Sequence, residues 1–392
     1  MTTPLHITCY YDFKAWVKKH QRSLLVAAGL VGGGSAVYYG LHYLGLTSQA
    51  RKERDAARAA LLHREAEERA EAQLQSHFES IQRISDTTTL PSVLPQLKAS
   101  LFSKVDLSGL TEKLILGKDD PQALSQRDKM QLWQELKTLS FTRTVCAMSA
   151  LSLLDLFIRI QLNILGRRVY FDTARDFMNP EDLHAPLSMS VQHKFIAFAG
   201  YLHHKGLAAL VGDIYKAAEI ELRGKQLKES FTLYDLKNVF VRILATLDSK
   251  RPAWVQYVLP PDNVLPEDLA GASSAADASN QFADVATSDN EVLDQLMNET
   301  RAVLASNEFH EVQAVCLEVM LDGVMEELYT IYRGSSDSGI PLAKLLPPVA
   351  GAGSTLLEHP DENRFIRILA SLPQVHAFCA LVYTNSSEEA AA

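Results

Sequence analysis

The stretch Leu132-Trp-Gln-Glu-Leu-Lys-Thr-Leu-Ser-Phe-Thr-Arg-Thr-Val-Cys-Ala-Met-Ser-Ala-Leu-Ser-Leu-Leu-Asp-Leu-Phe-Ile-Arg-Ile-Gln-Leu-Asn-Ile-Leu165 decides the fold class of this chain. Leu136, Leu139, Val145, Met148, Leu151, Leu154, Phe157, Ile158 and Leu162 cover most of a helix circumference. A helix apolar all round belongs in a protein core or in a membrane. Arg143, Asp155 and Arg159 separate the two outcomes: they leave an uncharged run of only 11 residues, well below the roughly 20 that a bilayer crossing requires. The segment therefore predicts a central helix surrounded by other helices.

The flanking sequence supplies those neighbours. Residues 49–83 are rich in Ala, Arg and Glu without Gly or Pro, which predicts a helical stalk. Leu74, Phe78 and Ile81 recur at spacings of four and three, so the packed body is expected to begin near Leu74. Two prolines within 87–95 predict a break, followed by a short helix over 97–102. Apolar residues return at helical spacing over 191–221, 232–247, 291–304, 309–332 and 363–383. Val169-Tyr-Phe alone has strand-like composition, and one strand makes no sheet. Residues 259–290, with three prolines and many Ala, Ser and Asp, read as a flexible insert, 334–339 as a loop and 386–392 as a frayed tail.

A second apolar stretch has a different meaning. Between Arg22 and Arg51 lie 28 residues without one Asp, Glu, Lys or Arg, enough to cross a hydrocarbon core of about 30 Å. Lys14, Lys18, Lys19 and Arg22 precede it as a membrane-targeting basic cluster, and Arg51, Lys52, Arg54 and Arg58 follow it. With basic residues on both sides, charge leaves the orientation open. A cleaved signal is the competing reading, but its apolar region usually spans about 7 to 15 residues. The fold expectation is thus all-α: a single amino-terminal transmembrane helix followed by an elongated helical bundle. The expected divisions are a basic tail over 1–22, a transmembrane helix over 23–46, a stalk over 49–73, a body over 74–385 and a tail over 386–392.

The charge distribution follows the same division. Residues 1–52 carry six Lys or Arg against one Asp, so the other 340 residues carry −14 of the net −9. A basic end suits membrane lipid, and an acidic body argues against nucleic acid. Cys9, Cys146, Cys316 and Cys379 are too scattered for a zinc or redox motif and too few for a secreted disulfide framework. No nucleophile elbow, zinc-helix motif or phosphate loop occurs, so no catalytic, metal or cofactor site is expected. The adjacent His203 and His204 point about 100° apart on a helix and read as exposed or capping residues. Glu326 with Glu327, and Asp361 with Glu362, read as solvated faces.

Five strings carry a family resemblance: His77-Phe-Glu-Ser-Ile-Gln-Arg83, the opening Leu132 to Arg143 of the central segment, Arg159-Ile-Gln-Leu-Asn-Ile-Leu-Gly166, Leu296-Met-Asn-Glu-Thr-Arg301 and Pro341-Leu-Ala-Lys344. In this order they resemble peroxin-3, the peroxisomal biogenesis factor, of plant or algal type. The resemblance implies a non-enzymatic docking receptor in the peroxisomal membrane, single-pass, with its helical body in the cytosol and the endoplasmic reticulum as a transient location. It implies as partner peroxin-19, the chaperone of peroxisomal membrane proteins, whose amphipathic amino-terminal helix enters an apolar groove; cargo is met indirectly. A scaffold that tethers peroxisomes to inheritance, cytoskeletal or autophagy factors is the alternative role.

The resemblance also assigns groove positions. Trp133 matches the tryptophan at the pocket floor, and Lys129, four positions earlier, shares its side of the helix. Pro341, Leu342, Ala343 and Lys344 match a string bordering the groove. Leu114 and Val169 match apolar groove positions, with Arg167 and Arg168 standing where the family has small residues. Read from the residues alone, Trp133 is a core side chain, as large aromatics on helices usually are.

Overall fold

The computed structural model describes residues 49–119, 125–178, 187–248, 253–261, 283–333 and 339–384. In chain order they form α1 (Gln49–Ile84), α2 (Leu90–Lys104), α3 (Ser108–Asp119), α4 (Gln126–Met178), α5 (Met189–Ala197), α6 (Leu207–Leu222), β1 (Ser230–Phe231), α7 (Leu233–Asp248), α8 (Ala253–Val258), α9 (Ala283–Leu304), α10 (Asn307–Tyr332), β2 (Ile340–Pro341), α11 (Leu342–Thr355), α12 (Arg364–Ala370) and α13 (Pro373–Thr384). The chain is mostly helical, as the spacing predicts. The expected anchor over 23–46, the basic residues Lys14, Lys18, Lys19 and Arg22, the centre of the insert and the 386–392 tail lie outside the described residues.

The central segment is longer than its hydropathy shows. α4 runs for 53 residues, about 80 Å at the helical rise. It starts at a reciprocal cap, where the Ser125 hydroxyl accepts from the Asp128 amide at 3.1 Å and donates to the Asp128 carboxylate at 2.7 Å. Among the described residues it is the one helix long and apolar enough to cross a membrane, but 94% of its apolar window is buried inside the protein. The charges that interrupt the window are neutralised internally. Arg159 Nε donates to both Asp155 oxygens at 3.1 Å, and its guanidinium also bonds Asp86 and Gln82.

Other helices pack around this axis. α1 runs antiparallel to it, because His77 faces Tyr170, Gln82 bonds Asn163 at 2.9 Å and Asp86 meets Arg159. The amino end of α1 therefore points past the carboxyl end of α4. Gly166 allows this contact, since a Cβ there would lie 2.3 Å from Ile81. α11 lies on α4 at Thr144, whose hydroxyl donates to the Val349 carbonyl, with Gly353 packed on the Thr144 backbone.

Several boundaries differ from the sequence expectation, each for a local reason. The helix is not broken over 87–95: a π-turn over Ser85–Thr89 leads directly into α2, which takes Pro91 in its first turn and carries Pro95 on its exposed side. The expected helix over 191–221 is two α-helices, α5 and α6, with a 3₁₀ turn at Phe198–Gly200 and a π-turn at Leu202–Gly206 between them. The irregularity accommodates α8, whose Tyr257 carbonyl would lie 1.8 Å from a Cβ on Gly206. The 363–383 helix is two, α12 and α13, bent by 63° ahead of Pro373. Val169-Tyr-Phe is not a strand but part of α4. The insert is narrower than 259–290, because Leu259 is buried and α9 begins at Ala283.

The described residues do contain one small sheet. β1 and β2 pair antiparallel, Ser230 opposite Pro341 and Phe231 opposite Ile340. Gly339 enters this pair at φ 78°, with the Phe231 backbone 2.9 Å from where a Cβ would stand. The pair holds the start of α11.

Candidate helix-docking site

The first turns of α4 are exposed, as is its carboxyl end over 168–173, while the length between them is mostly buried. From 126 to 136 no side chain is fully buried. Trp133 is half-buried, packed on the edge of the core, so neither a core position nor full exposure describes it. Lys129 is half-buried one turn earlier, and Met130 is 65% exposed. At 100° per residue, Lys129, Trp133, Lys137, Ser140 and Thr144 share one side of α4.

α11 covers that side at Thr144 and begins level with Lys137. The level is fixed by hydrogen bonds: Lys137 Nζ donates to the carbonyls of Leu222 and Lys225 at 2.8 and 2.9 Å, while Leu342 N and Ala343 N donate to Glu229 O and Leu227 O of the same loop. Trp133 and Lys129 lie one and two turns before Lys137 on that side of α4. The string at that edge is divided in its exposure. Pro341 and Ala343 are half-buried and Lys344 is exposed, whereas Leu342 is fully buried and offers no surface to a partner, contrary to its expected role.

α3 supplies another wall. Arg143 stacks 3.9 Å from the Phe102 ring and feels the charge of Asp106, which caps the start of α3 by accepting from Ser108 N at 2.9 Å. α3 packs on α4, and Leu114 on it is half-buried. Beside it Ile115 and Leu116 are 54% and 64% exposed. Sequence spacing does not single out these two residues or Met130; what marks them is apolar side chains left exposed at a helix end.

Val169 does not join this group. It stands 36 residues beyond Trp133 on the same helix, about 54 Å away along the axis, and the two cannot line one groove. Its neighbourhood is the opposite end of the molecule. There Arg167 donates to the Val382 carbonyl at 2.9 Å and pairs with Glu299, and Arg168 reaches Gln295 at 3.4 Å. These arginines tie α4 to α13 and α9 and do not replace groove residues.

The α4 start also bounds a polar cleft of about 530 Å³, lined by Gln131, Gln134, Glu135, Lys137, Thr138, Tyr215 and Glu219 among others. Burial pulls the Lys137 ammonium below its usual range, with the nearby Glu229 partly offsetting this. His203 departs from its expected exposure: it is 4% exposed, neither ring nitrogen has a partner, and burial together with His204 lowers its pKa to about 4. Glu326 is solvated as expected and pairs with Arg364 at 3.2 Å. Among the described residues no group of His, Cys, Asp and Glu is placed to hold a metal ion. What α4 and α3 offer here is exposed apolar side chains, Met130, Ile115 and Leu116, beside a half-buried tryptophan.

Comparison with known proteins agrees with the family resemblance. The family described as Peroxin-3 matches residues 116–385. The chain is 35% identical to Peroxisome biogenesis protein 3-2 of Arabidopsis thaliana over 95% of its own length and 99% of that protein. It is 34% identical to Peroxisome biogenesis protein 3-1 of the same plant, over 94% and 97%. Peroxisomal biogenesis factor 3 of Mus musculus is 29% identical over 94% and 95%. The higher identity to the plant proteins fits the plant type. The chain belongs to the peroxin-3 family of peroxisome biogenesis proteins.

Proposed function

We propose that this chain is a docking receptor of the peroxisomal membrane, which receives the peroxin-19 chaperone and, through it, membrane-protein cargo. The observation that carries this reading is the half-buried Trp133 on the exposed first turns of α4, with the exposed Met130 one turn before it and the exposed Ile115 and Leu116 on α3, which packs on the same helix. An amphipathic helix laid there would use anchors at i, i+3 and i+4 around the indole. Lys129 and Lys344 stand at the margins and suit carboxylates flanking the apolar face of such a helix.

The direction of α1 supports the membrane part of the proposal. α1 leaves the body at the Val169 end of α4, so its amino end stands beyond the end opposite Trp133. Summing the rise along α1 from Arg51 to His77 and along α4 from Tyr170 to Trp133 separates the amino end of α1 from the docking face by about 90 Å. In this arrangement the body stands in the cytosol and presents the face away from the bilayer, within reach of a soluble chaperone.

Calorimetric titration with the amino-terminal helix of peroxin-19 tests the reading. Trp133→Ala is expected to weaken binding at least tenfold, or about 1.4 kcal/mol, with the thermal midpoint nearly unchanged. Unchanged affinity would remove Trp133, and the docking face with it.

A further inference from the structure

Lys137 is buried to 1% exposure, one turn from Trp133, and both of its hydrogen bonds go to backbone carbonyls, Leu222 O at 2.8 Å and Lys225 O at 2.9 Å. These carbonyls close the carboxyl end of α6, where a helix lacks internal donors and its dipole favours a cation. A hydrocarbon of equal size would fill the same space without the desolvation cost of an ammonium, but would take the side-chain donor from Lys225 O and leave Leu222 O with the Lys225 amide alone, at 3.1 Å. The loop that Lys137 grips then continues to the docking face. Leu227 O and Glu229 O accept from Ala343 N at 3.0 Å and Leu342 N at 2.9 Å, and Ser230 and Phe231 pair with Pro341 and Ile340. The far side of the loop is held by α10, through the Tyr332 hydroxyl donating to Phe231 O at 3.1 Å.

We infer that Lys137 is the positioning residue of the docking groove: it fixes the distance between Trp133 on α4 and the wall formed by Pro341, Ala343 and Lys344. The inference rests on the docking reading of that face. Both sides of the groove are otherwise separate in sequence by about two hundred residues, and the buried ammonium links them through one loop. A groove whose wall can drift accepts a helix with a larger ordering cost, which lowers affinity without removing a single contact atom.

The test uses the full-length chain in detergent, with Lys137→Met, Lys137→Arg and Trp133→Ala, reading amide hydrogen exchange at Leu342 and Ala343 alongside calorimetric binding of the peroxin-19 helix. Lys137→Met is expected to speed exchange at these two amides by about tenfold or more and to weaken the helix by about tenfold. Lys137→Arg, which keeps a donor, is expected to restore most of both. Unchanged exchange in Lys137→Met overturns the linkage. Faster exchange with unchanged binding, while Trp133→Ala still weakens binding, overturns the positioning role alone. If Trp133→Ala is also without effect, the docking reading has failed as well. Should Lys137→Met not fold, exchange in the unaltered chain decides: the Leu342 and Ala343 amides are expected to open together with the Lys225 to Phe231 loop, and independent opening overturns the linkage.

Discussion

The two halves of α4 differ more than any two helices of the molecule need to. Between 141 and 165 every side chain except Arg143 and Leu162 is buried, whereas between 126 and 136 none is. One continuous helix is therefore a core element for most of its length and a shelf at its amino end. Apolar surface left uncovered by folding is surface available for association. The contrast separates stability from binding along a single axis, so substitutions in the two regions are expected to have separable effects.

The largest effect is expected in the buried half. Asp155→Ala leaves the Arg159 guanidinium almost wholly buried with the partly exposed Asp86 as its remaining carboxylate. Removing one partner of such a pair costs about 3 to 5 kcal/mol. Urea unfolding should show that loss, and the fraction still folded should bind the peroxin-19 helix with near-native affinity. A large change in affinity would show that the two halves are not independent.

The next effect depends on pH. His203, in the π-turn before α6, has a folded pKa near 4, against about 6.5 in an unfolded chain. The unfolded state takes up a proton that the folded state refuses. The contribution of His203 is thus fully present above about pH 6.5 and is lost as pH falls toward 4, amounting to about 1 to 2 kcal/mol between pH 7 and pH 5. Urea midpoints at the two pH values should show this, and His203→Phe should flatten it; an equal slope in the variant would contradict the buried, neutral ring.

The smallest effect belongs to the shelf. Lys344 is exposed at the groove margin, where reversing one charge typically changes affinity by about 0.5 kcal/mol and mostly through the association rate. Lys344→Glu should bind the helix about twofold more weakly at low salt, with the difference fading as salt is raised. A salt-independent loss would move Lys344 from the margin into the contact itself.

These regions were not equally legible in the sequence. The central helix could be read because three charges limited its uncharged run, and physical chemistry excludes a bilayer crossing of that length. The π-turns could not be read, since nothing in Ser85-Asp-Thr-Thr-Thr89 or Leu202-His-His-Lys-Gly206 marks a widened backbone; they answer to Arg159 and Tyr257, far along the chain. Family strings located Trp133 and the 341–344 wall, but not which of those four residues faces inward. Leu342 is turned into the core by a loop more than a hundred residues earlier. The placement of Val169 failed for a more instructive reason. Reading Val169-Tyr-Phe as strand-like concealed that the helix through Trp133 continues past it, and an unbroken helix fixes the separation of its residues.

The central claim is that the partner docks at the amino end of α4 and not at the end from which α1 departs. A photo-crosslinking side chain placed at Met130 or at Val169, both exposed on that helix, tests it directly with the peroxin-19 helix. Crosslinking from position 130 and none from position 169 is the expected result; crosslinking from 169 and none from 130 would contradict the account.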